Sequence, residues 1–132
     1  MITKQIIKLT NAMAEYEGWL PSGQSSQNNE KPSVSYRNHN PGNLRYSIFQ
    51  LGIRDNFAYF YNDTTGMFAM RYDIMCKCQG KTVTGLSGES TLRQLIAKYA
   101  NVKEEALDNY FQFVIKQCGF GSDIKLKEML KQ

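Results

Sequence analysis

One carboxylate stands where proton-transfer chemistry is feasible. Glu17 lies at the end of a predicted first helix, and it borders an apolar stripe between Met13 and Leu20. A carboxyl held against apolar and aromatic neighbours, here Tyr16 and Trp19, has its pKa raised by desolvation. A general acid needs such a pKa near neutral pH, so Glu17 is a candidate for that role. The alternative interpretation is a surface carboxylate on a frayed helix end.

The remaining acids do not form an obvious pair with Glu17. Glu15 points in another direction, because successive residues rotate by about 100° around a helix. Asp55 and Asp63 are the candidates for a second carboxylate, and neither has a distinctive sequence setting. Asp63 also suits a turn or the start of a helix.

The most unusual segment is residues 37–45, which read RNHNPGNLR. Asparagine and arginine side chains suit sugar hydroxyls and acetamido groups, since asparagine offers donors and an acceptor and arginine offers several donors. We therefore expect Asn40, Asn43 and Arg45, with the adjacent Tyr46, to bind a polar substrate. The alternative is that asparagine, proline and glycine serve only to form the turn.

The sequence predicts no metal and no cofactor. His39 is the only histidine, which leaves too few ligands for a zinc site or for a metal-dependent nuclease. The three cysteines, at positions 76, 78 and 118, form no Cys-x-x-Cys motif. Their odd number argues against a disulfide framework and favours synthesis in a reducing compartment.

Length and charge narrow the class of protein. The 132 residues suit one domain, and the net charge of +4 permits anionic partners such as a bacterial cell wall. The basic residues are interleaved with acids, which argues against a nucleic-acid partner. No segment resembles a signal peptide or a membrane anchor, so we expect synthesis in the cytoplasm.

Helical spacing predicts several helices that would position these residues. Thr3 is the expected N-cap of the first, whose apolar stripe comprises Ile2, Ile6, Leu9, Met13, Tyr16 and Leu20. A second helix should follow residues 63–65, with Thr64 as its cap and a face formed by Phe68, Tyr72 and Met75. Thr91 and Gln94 form the pattern of a capping box before a third helix. Residues 104–118 predict a fourth helix ended by Gly119, and Ser122 would cap a short last one.

Residues 33–61 have a different pattern. Val34 and Tyr36 alternate with polar residues, a Pro-Gly turn follows, and residues 57–61 are rich in aromatic side chains. This pattern predicts a small irregular β-region after a polar loop at residues 22–31. Because the strands are confined to one stretch, the predicted fold class is α+β. We expect a mainly helical lobe and a small β-lobe in a single domain, 1–132, with a cleft between the lobes as the natural site.

Several of these motifs, taken in order, resemble a group of phage and prophage lysozyme-like proteins. The group's pattern is E-G-[FW], then R-N-N-N-P-G-N-[IL]-R, then F-x-x-F and G-x-x-A, then T-L-x-x-[IL]-I, and last Y-x-x-x-V followed by glycine. The matching segments here are, in the same order, residues 17–19, 37–45, 57–60, 66–69, 91–96 and 110–114, with Gly119 after the last. The resemblance covers about residues 13 to 119. His39 departs from it, since typical members have asparagine there.

The resemblance implies a lysozyme-like fold that cleaves peptidoglycan between N-acetylmuramic acid and N-acetylglucosamine. The resemblance implies that Glu17 is the general acid. It also implies that the turn from Asn40 to Arg45 lies on the wall of the cleft and that Tyr110 faces Glu17. Two carboxyls are needed for hydrolysis, about 5 Å apart or about 6.5–9.5 Å apart. A lytic transglycosylase needs only one, so the sequence favours transglycosylase over muramidase, with Asp55 or Asp63 able to restore hydrolysis.

The expected partners are peptidoglycan glycan strands and other phage virion proteins, and the expected place of action is the bacterial cell wall. The alternative function is a catalytically inactive virion or wall-binding module on the same fold, since a fold does not imply an activity.

Overall fold

Helices dominate residues 1–19 and 34–132, which are the residues that the computed structural model describes. The elements are α1 (Lys4–Tyr16), α2 (Val34–Arg37), β1 (Gly52–Arg54), β2 (Phe57–Tyr59), α3 (Asp63–Cys78), α4 (Leu92–Ala100), α5 (Glu104–Cys118) and a 3₁₀ helix (Leu126–Leu130). The two strands form one antiparallel sheet, in which Ile53 lies opposite Ala58. The α+β class is therefore confirmed at this level. The polar loop predicted at residues 22–31 lies outside the described residues, as does Leu20.

The chain divides into two compact units. Unit 1 consists of Met1–Ala12 and Ile74–Gln132, and unit 2 is Met13–Asp73. Helices α1 and α3 each contribute residues to both units. In the part of the chain that the structure describes, no helix combines the length and the apolarity that crossing a bilayer requires.

Two amphipathic helices, α4 and α5, build much of unit 1. Thr91 and Gln94 form the predicted capping box, in which the Thr91 hydroxyl accepts from the Gln94 backbone N–H at 3.1 Å. Gly119 ends α5 at a φ of 72°, and its N–H donates to the Ile115 carbonyl. The buried side chains of both helices recur at helical spacing, namely Leu92, Leu95, Ile96, Leu107, Tyr110, Phe111, Val114 and Cys118. Local caps and apolar periodicity therefore define these helices.

The two ends of the chain meet in unit 1. Thr3 caps α1 as predicted, because its hydroxyl accepts from the Ile6 N–H at 3.1 Å. The same hydroxyl donates to the carbonyl of Met129, a buried residue of the 3₁₀ helix. The prediction that Ser122 caps the last helix is wrong, since the residue before the 3₁₀ helix is Lys125. Backbone bonds from Leu126 and Lys127 to the carbonyls of residues 88 and 90 hold this segment instead.

Unit 2 departs from the sequence prediction at three elements. The alternating residues Val34 and Tyr36 belong to the short helix α2 rather than to a β-region. Strand β2 falls within the predicted aromatic run, whereas its partner β1 had no sequence signal. The Asn62 side chain, not Thr64, caps α3, since its carbonyl oxygen accepts from the Thr65 N–H at 2.8 Å.

The buried face of α3 is also different from the predicted one. The predicted face began at Phe68, which is exposed, and included Tyr72, which is half-buried. The fully buried side chains are Ala69, Met70, Ile74 and Cys78, together with Met75. This helix carries apolar residues around most of its circumference, so periodicity alone does not single out one face. Tertiary packing decides which face is buried.

Gly66 allows α3 to approach the loop at residue 39. A Cβ at this position would overlap the carbonyl oxygen of His39 and press on the Pro41 ring. We expect Gly66→Ala to lower the free energy of unfolding by at least about 2 kcal/mol, because the backbone must move apart. Helix propensity alone would favour alanine by about 1 kcal/mol, so the sign of the change is informative.

Urea denaturation of Gly66→Ala and Gly121→Ala measures this effect. A Cβ at Gly121 meets its nearest atom, an Asp123 carboxylate oxygen, at an ordinary 3.4 Å, so the control should change stability by less than about 0.5 kcal/mol. Equal stabilities for the two variants would contradict the close approach.

Candidate functional site

A buried asparagine organises residues 37–45. The Asn40 side chain has no exposed surface, and its amide group donates to the carbonyls of Leu44 and Ala58, both at 2.9 Å. Its carbonyl oxygen accepts from the Leu44 N–H at 3.0 Å. The side chain thus closes the turn on itself and attaches it to β2. These bonds occupy both amide hydrogens and the oxygen of Asn40.

Asn38 makes a second buried link, from the turn to β1. Its amide donates to the Arg54 carbonyl at 3.0 Å, and its oxygen accepts from Arg54 Nε at 2.9 Å. Arg54 also donates through Nη2 to the Arg37 carbonyl at 2.7 Å. The sequence pattern predicted neither Asn38 nor Arg54 as a site residue. An asparagine within a Pro-Gly turn was the only available signal, and it does not distinguish a buried amide from an exposed one.

Backbone bonds complete the attachment to β2. The Ala58 N–H donates to the Leu44 carbonyl at 3.0 Å, and the Phe60 N–H donates to the Asn38 carbonyl at 2.9 Å. Strand β2 therefore pairs with β1 along one edge and with the turn along the other. The turn therefore bonds to β2 in the way that a third strand would, and these bonds position the side chains on its outer surface.

The two candidate second carboxylates each pair with a basic side chain. Asp63 Oδ1 lies 2.7 Å from Nδ1 of His39, and Asp55 Oδ2 lies 3.3 Å from Nη2 of Arg37. Both pairs are substantially exposed, so each is worth at most about 1 kcal/mol. The structure thus places Asp55 and Asp63 beside the turn that the sequence singled out, each with a cationic partner or a potentially cationic one.

The end of α1 lies in the same unit as the turn. The Trp19 and Tyr36 rings stack, with 4.3 Å between their centroids and 18° between their planes. Tyr36 is buried and immediately precedes Arg37, the first residue of the turn. This stacked pair links the segment that carries Glu17 to α2.

The pKa of the Glu17 carboxyl is shifted in the direction that its apolar sequence neighbours predict. Desolvation by burial raises the pKa of its carboxyl above the ordinary value of 4.5. The residue as a whole is exposed, so the carboxyl combines access to solvent with an environment that disfavours its charge. Such a group can hold a proton at a higher pH than an ordinary glutamate and still reach a ligand.

The predicted substrate-binding residues differ in how accessible they are. Asn43, Arg45 and Tyr46 are exposed, and the Arg45 guanidinium lies over the Phe57 ring at 4.8 Å. Asn40 is corrected to a structural residue, because its buried and fully bonded amide has nothing to offer a substrate. Tyr110 is corrected likewise, since its side chain is buried in unit 1 and presents almost no surface to a ligand.

Within residues 1–19 and 34–132, no group of three or more histidine, cysteine, aspartate or glutamate side chains is arranged to hold a metal ion. Burial raises the pKa of the Cys78 thiol to about 12, so this cysteine is a poor nucleophile. The chemistry that unit 2 can offer is proton transfer by Glu17 and hydrogen bonding by the exposed side chains of the turn.

Comparisons of this chain with protein-family models, with curated proteins and with solved structures found no match.

The buried amide of Asn40 has a measurable effect on stability. We expect Asn40→Ala to lower the free energy of unfolding by about 2–3 kcal/mol, because three buried hydrogen bonds are lost and the Leu44 N–H loses its acceptor, although the Leu44 carbonyl keeps its bond from the Ala58 N–H. Asn43→Gly is the matched control in the same turn. Asn43 is exposed and has a φ of 52°, which glycine adopts without strain. The stability of the Asn43→Gly variant should therefore stay near that of the natural chain. Urea denaturation that showed similar losses for both variants would contradict the assigned role of Asn40.

The raised pKa of Glu17 makes its contribution to stability depend on pH. The folded state binds the Glu17 proton more tightly than the unfolded state, so stability falls as pH rises from about 4.5 through the folded-state pKa. Glu17→Gln removes this titration. Relative to the natural chain, the variant should therefore gain stability between pH 4 and pH 7. Urea denaturation at pH 4 and pH 7 measures the free energy of unfolding of both chains. If the difference between the variant and the natural chain stayed constant or became smaller from pH 4 to pH 7, the desolvation of Glu17 would be contradicted.

Proposed function

We propose that this chain cleaves peptidoglycan at the bond between N-acetylmuramic acid and N-acetylglucosamine, with Glu17 as the general acid. The observation that carries the proposal is the carboxyl of Glu17. Burial raises the pKa of this carboxyl, and the residue is exposed, so it is accessible to a ligand. Its place after the first helix is also where the resemblance to phage lysozyme-like proteins puts the acid.

One carboxyl suffices for the transglycosylase reaction. Protonated Glu17 gives its proton to the glycosidic oxygen as the bond to C1 of the muramic acid breaks. The resulting carboxylate then takes the proton from the 6-hydroxyl of the same sugar, whose oxygen bonds to C1. The product is a 1,6-anhydromuramic acid end, and Glu17 is again protonated. A raised pKa suits both steps, because the group must give and take a proton near neutral pH.

The state of the other carboxylates also favours this route over hydrolysis. A hydrolase needs a second carboxylate as nucleophile or as base for water. Asp55 and Asp63 are the candidates in unit 2, and they pair with Arg37 and His39. A carboxylate oxygen that already contacts a basic side chain must leave that partner before it can attack C1 or accept a proton from water. Muramidase action is therefore the second choice.

The outer surface of the turn would bind the glycan. Asn43, Arg45 and Tyr46 are exposed on a backbone held by the buried amides of Asn38 and Asn40. Their amide, guanidinium and phenol groups suit hydroxyls, acetamido groups and the carboxylates of the peptide stems. In this proposal the fold is lysozyme-like, and the protein is phage-derived and acts at the bacterial cell wall, as an endolysin or as part of a virion.

Analysis of the soluble products released from purified peptidoglycan tests the proposal. The natural chain should release fragments that end in 1,6-anhydromuramic acid, identified by mass spectrometry. Glu17→Gln should reduce their release by at least about a hundredfold, since general acid catalysis is worth about 10²–10⁴ in rate. Glu15→Gln is the matched control, because it removes an exposed carboxyl two residues away on another side of α1, and it should retain activity.

The other outcomes are equally decisive. Reducing-end products would indicate hydrolysis, and Asp55→Asn and Asp63→Asn would then identify the second carboxylate. Unchanged activity in Glu17→Gln would remove Glu17 from the mechanism. No products from several wall types, with a folded chain that still sediments with peptidoglycan, would favour the inactive wall-binding module.

A further inference from the structure

One ring of the aromatic run at residues 57–61 faces solvent. Phe60 is buried, and a guanidinium group lies over each of the Phe57 and Tyr59 rings. Tyr61, by contrast, is 75% exposed. An aromatic ring offers a large flat apolar surface with a polar tip, and a ligand with a matching apolar face can cover it. The proposed cleavage reaction assigns no role to this ring.

Hydrogen bonds on both sides fix the backbone at Tyr61. The N–H of the preceding residue, Phe60, donates to the Asn38 carbonyl at 2.9 Å. The following residue, Asn62, caps α3 through its side-chain oxygen, which accepts from the Thr65 N–H at 2.8 Å. Because the turn holds one neighbour and the helix holds the other, the ring projects from a defined position. Binding to such a preorganised group costs less conformational entropy.

A paired imidazole lies beside the same stretch of backbone. Asp63, two residues after Tyr61, places Oδ1 at 2.7 Å from Nδ1 of His39. The two side chains of this pair are 43% exposed for the histidine and 53% exposed for the aspartate. An ionised carboxylate only accepts hydrogen bonds, so Nδ1 carries the hydrogen of this bond. The Asp63 carboxylate therefore orients the imidazole, and Nε2 is left for a ligand.

This combination of groups suits a sugar ring. A pyranose has an apolar face of C–H groups, which an aromatic ring can cover, and an edge of hydroxyls, which a nitrogen such as Nε2 can bind. A purely apolar ligand would bury the imidazole and its carboxylate without new hydrogen bonds, which costs free energy. The exposed ring and the oriented imidazole therefore favour a ligand with both an apolar face and a polar edge.

Charge distinguishes between the two sugars of a glycan strand. Residues 59–66 contain one acid, Asp63, and no basic residue. Whether the imidazole of His39 is neutral or protonated, its pair with Asp63 carries no net positive charge. Muramic acid brings the carboxylates of its peptide stem, which such a place does not attract. N-acetylglucosamine is neutral, and its hydroxyls and acetamido group can bond to Nε2.

We propose that Tyr61 and His39 form a subsite for an N-acetylglucosamine unit of the glycan strand. The Tyr61 ring stacks on the sugar, Nε2 of His39 bonds to its polar edge, and Asp63 is a positioning residue that holds the imidazole. The proposal rests on the proposed function for its ligand, and it adds a binding contact to the cleavage chemistry. His39 stands where the phage lysozyme-like group has asparagine, so the imidazole contact belongs to this chain and not to that group's motif.

NMR titration of the full chain with tri-N-acetylchitotriose tests the subsite. This probe contains only N-acetylglucosamine, so it lacks the bond that the proposed reaction breaks. Tyr61→Ala should weaken binding at least about fivefold, whereas Tyr61→Phe keeps the ring and should bind within about twofold of the natural chain. His39→Ala should weaken binding at least about threefold, since it removes one hydrogen bond to the sugar. Circular dichroism and thermal melting show that each variant is folded.

A double-mutant cycle tests the positioning role of Asp63. Asp63→Ala should weaken binding of the probe as His39→Ala does, but it should cause no further loss in the His39→Ala background, because it acts through the imidazole. Asp63→Asn keeps an oxygen that accepts from Nδ1, so it should restore most of the binding. Equal losses from Asp63→Ala with and without His39 would contradict this role.

Three results would overturn the subsite. The first is equal binding of the probe by the natural chain and Tyr61→Ala. The second is no binding of the probe by the folded natural chain, whatever its activity on peptidoglycan. The third is a Tyr61→Ala or His39→Ala variant that lowers kcat on peptidoglycan without raising KM, which would assign the side chain to the chemistry. The cleavage proposal fails separately, if the chain binds the probe through Tyr61 but releases no peptidoglycan fragments.

Discussion

The arrangement of unit 2 depends on one buried amide. Asn40 satisfies both donors and its acceptor with backbone groups of the turn and of β2, and its side chain has no exposed surface. A two-stranded hairpin alone is marginally stable in water. Asn38 and Asn40 together attach the turn to both strands, so the turn acts as a third member of the sheet. The positions of Asp55, Asp63 and the exposed side chains of the turn all follow from this attachment.

The turn also constrains the helix that follows it. Because the His39 carbonyl occupies the space beside Gly66, α3 can lie close to the turn only where it has no side chain. His39 itself has a φ of 52°, and its ring meets Asp63 at the first turn of the same helix. The conformation of the turn and the start of α3 therefore depend on one another. This coupling explains how a segment rich in turn residues can hold a defined shape.

Unit 2 also carries two surfaces of opposite character. Its polar side consists of the exposed residues of the turn and the carboxyl of Glu17, whose environment favours a bound proton. Its apolar side is the segment of residues 48–53, where Ile48, Leu51 and Ile53 are exposed and Phe49 packs on α3.

The sequence by itself determined the elements whose signals are local. The capping box at Thr91, the apolar stripe of α5, the Gly119 terminus and the α+β class were all predictable, because each depends on residues within a few positions of one another. The direction of the Glu17 pKa shift was predictable as well, because its sequence neighbours Tyr16 and Trp19 are aromatic. Tertiary structure decided the rest. It pairs β1 with β2, converts Val34–Arg37 into a helix, and buries Asn40 and Tyr110, which sequence reasoning had placed at a substrate. Burial and strand pairing depend on contacts between distant residues, and an asparagine has the same sequence signal whether its amide faces water or a strand.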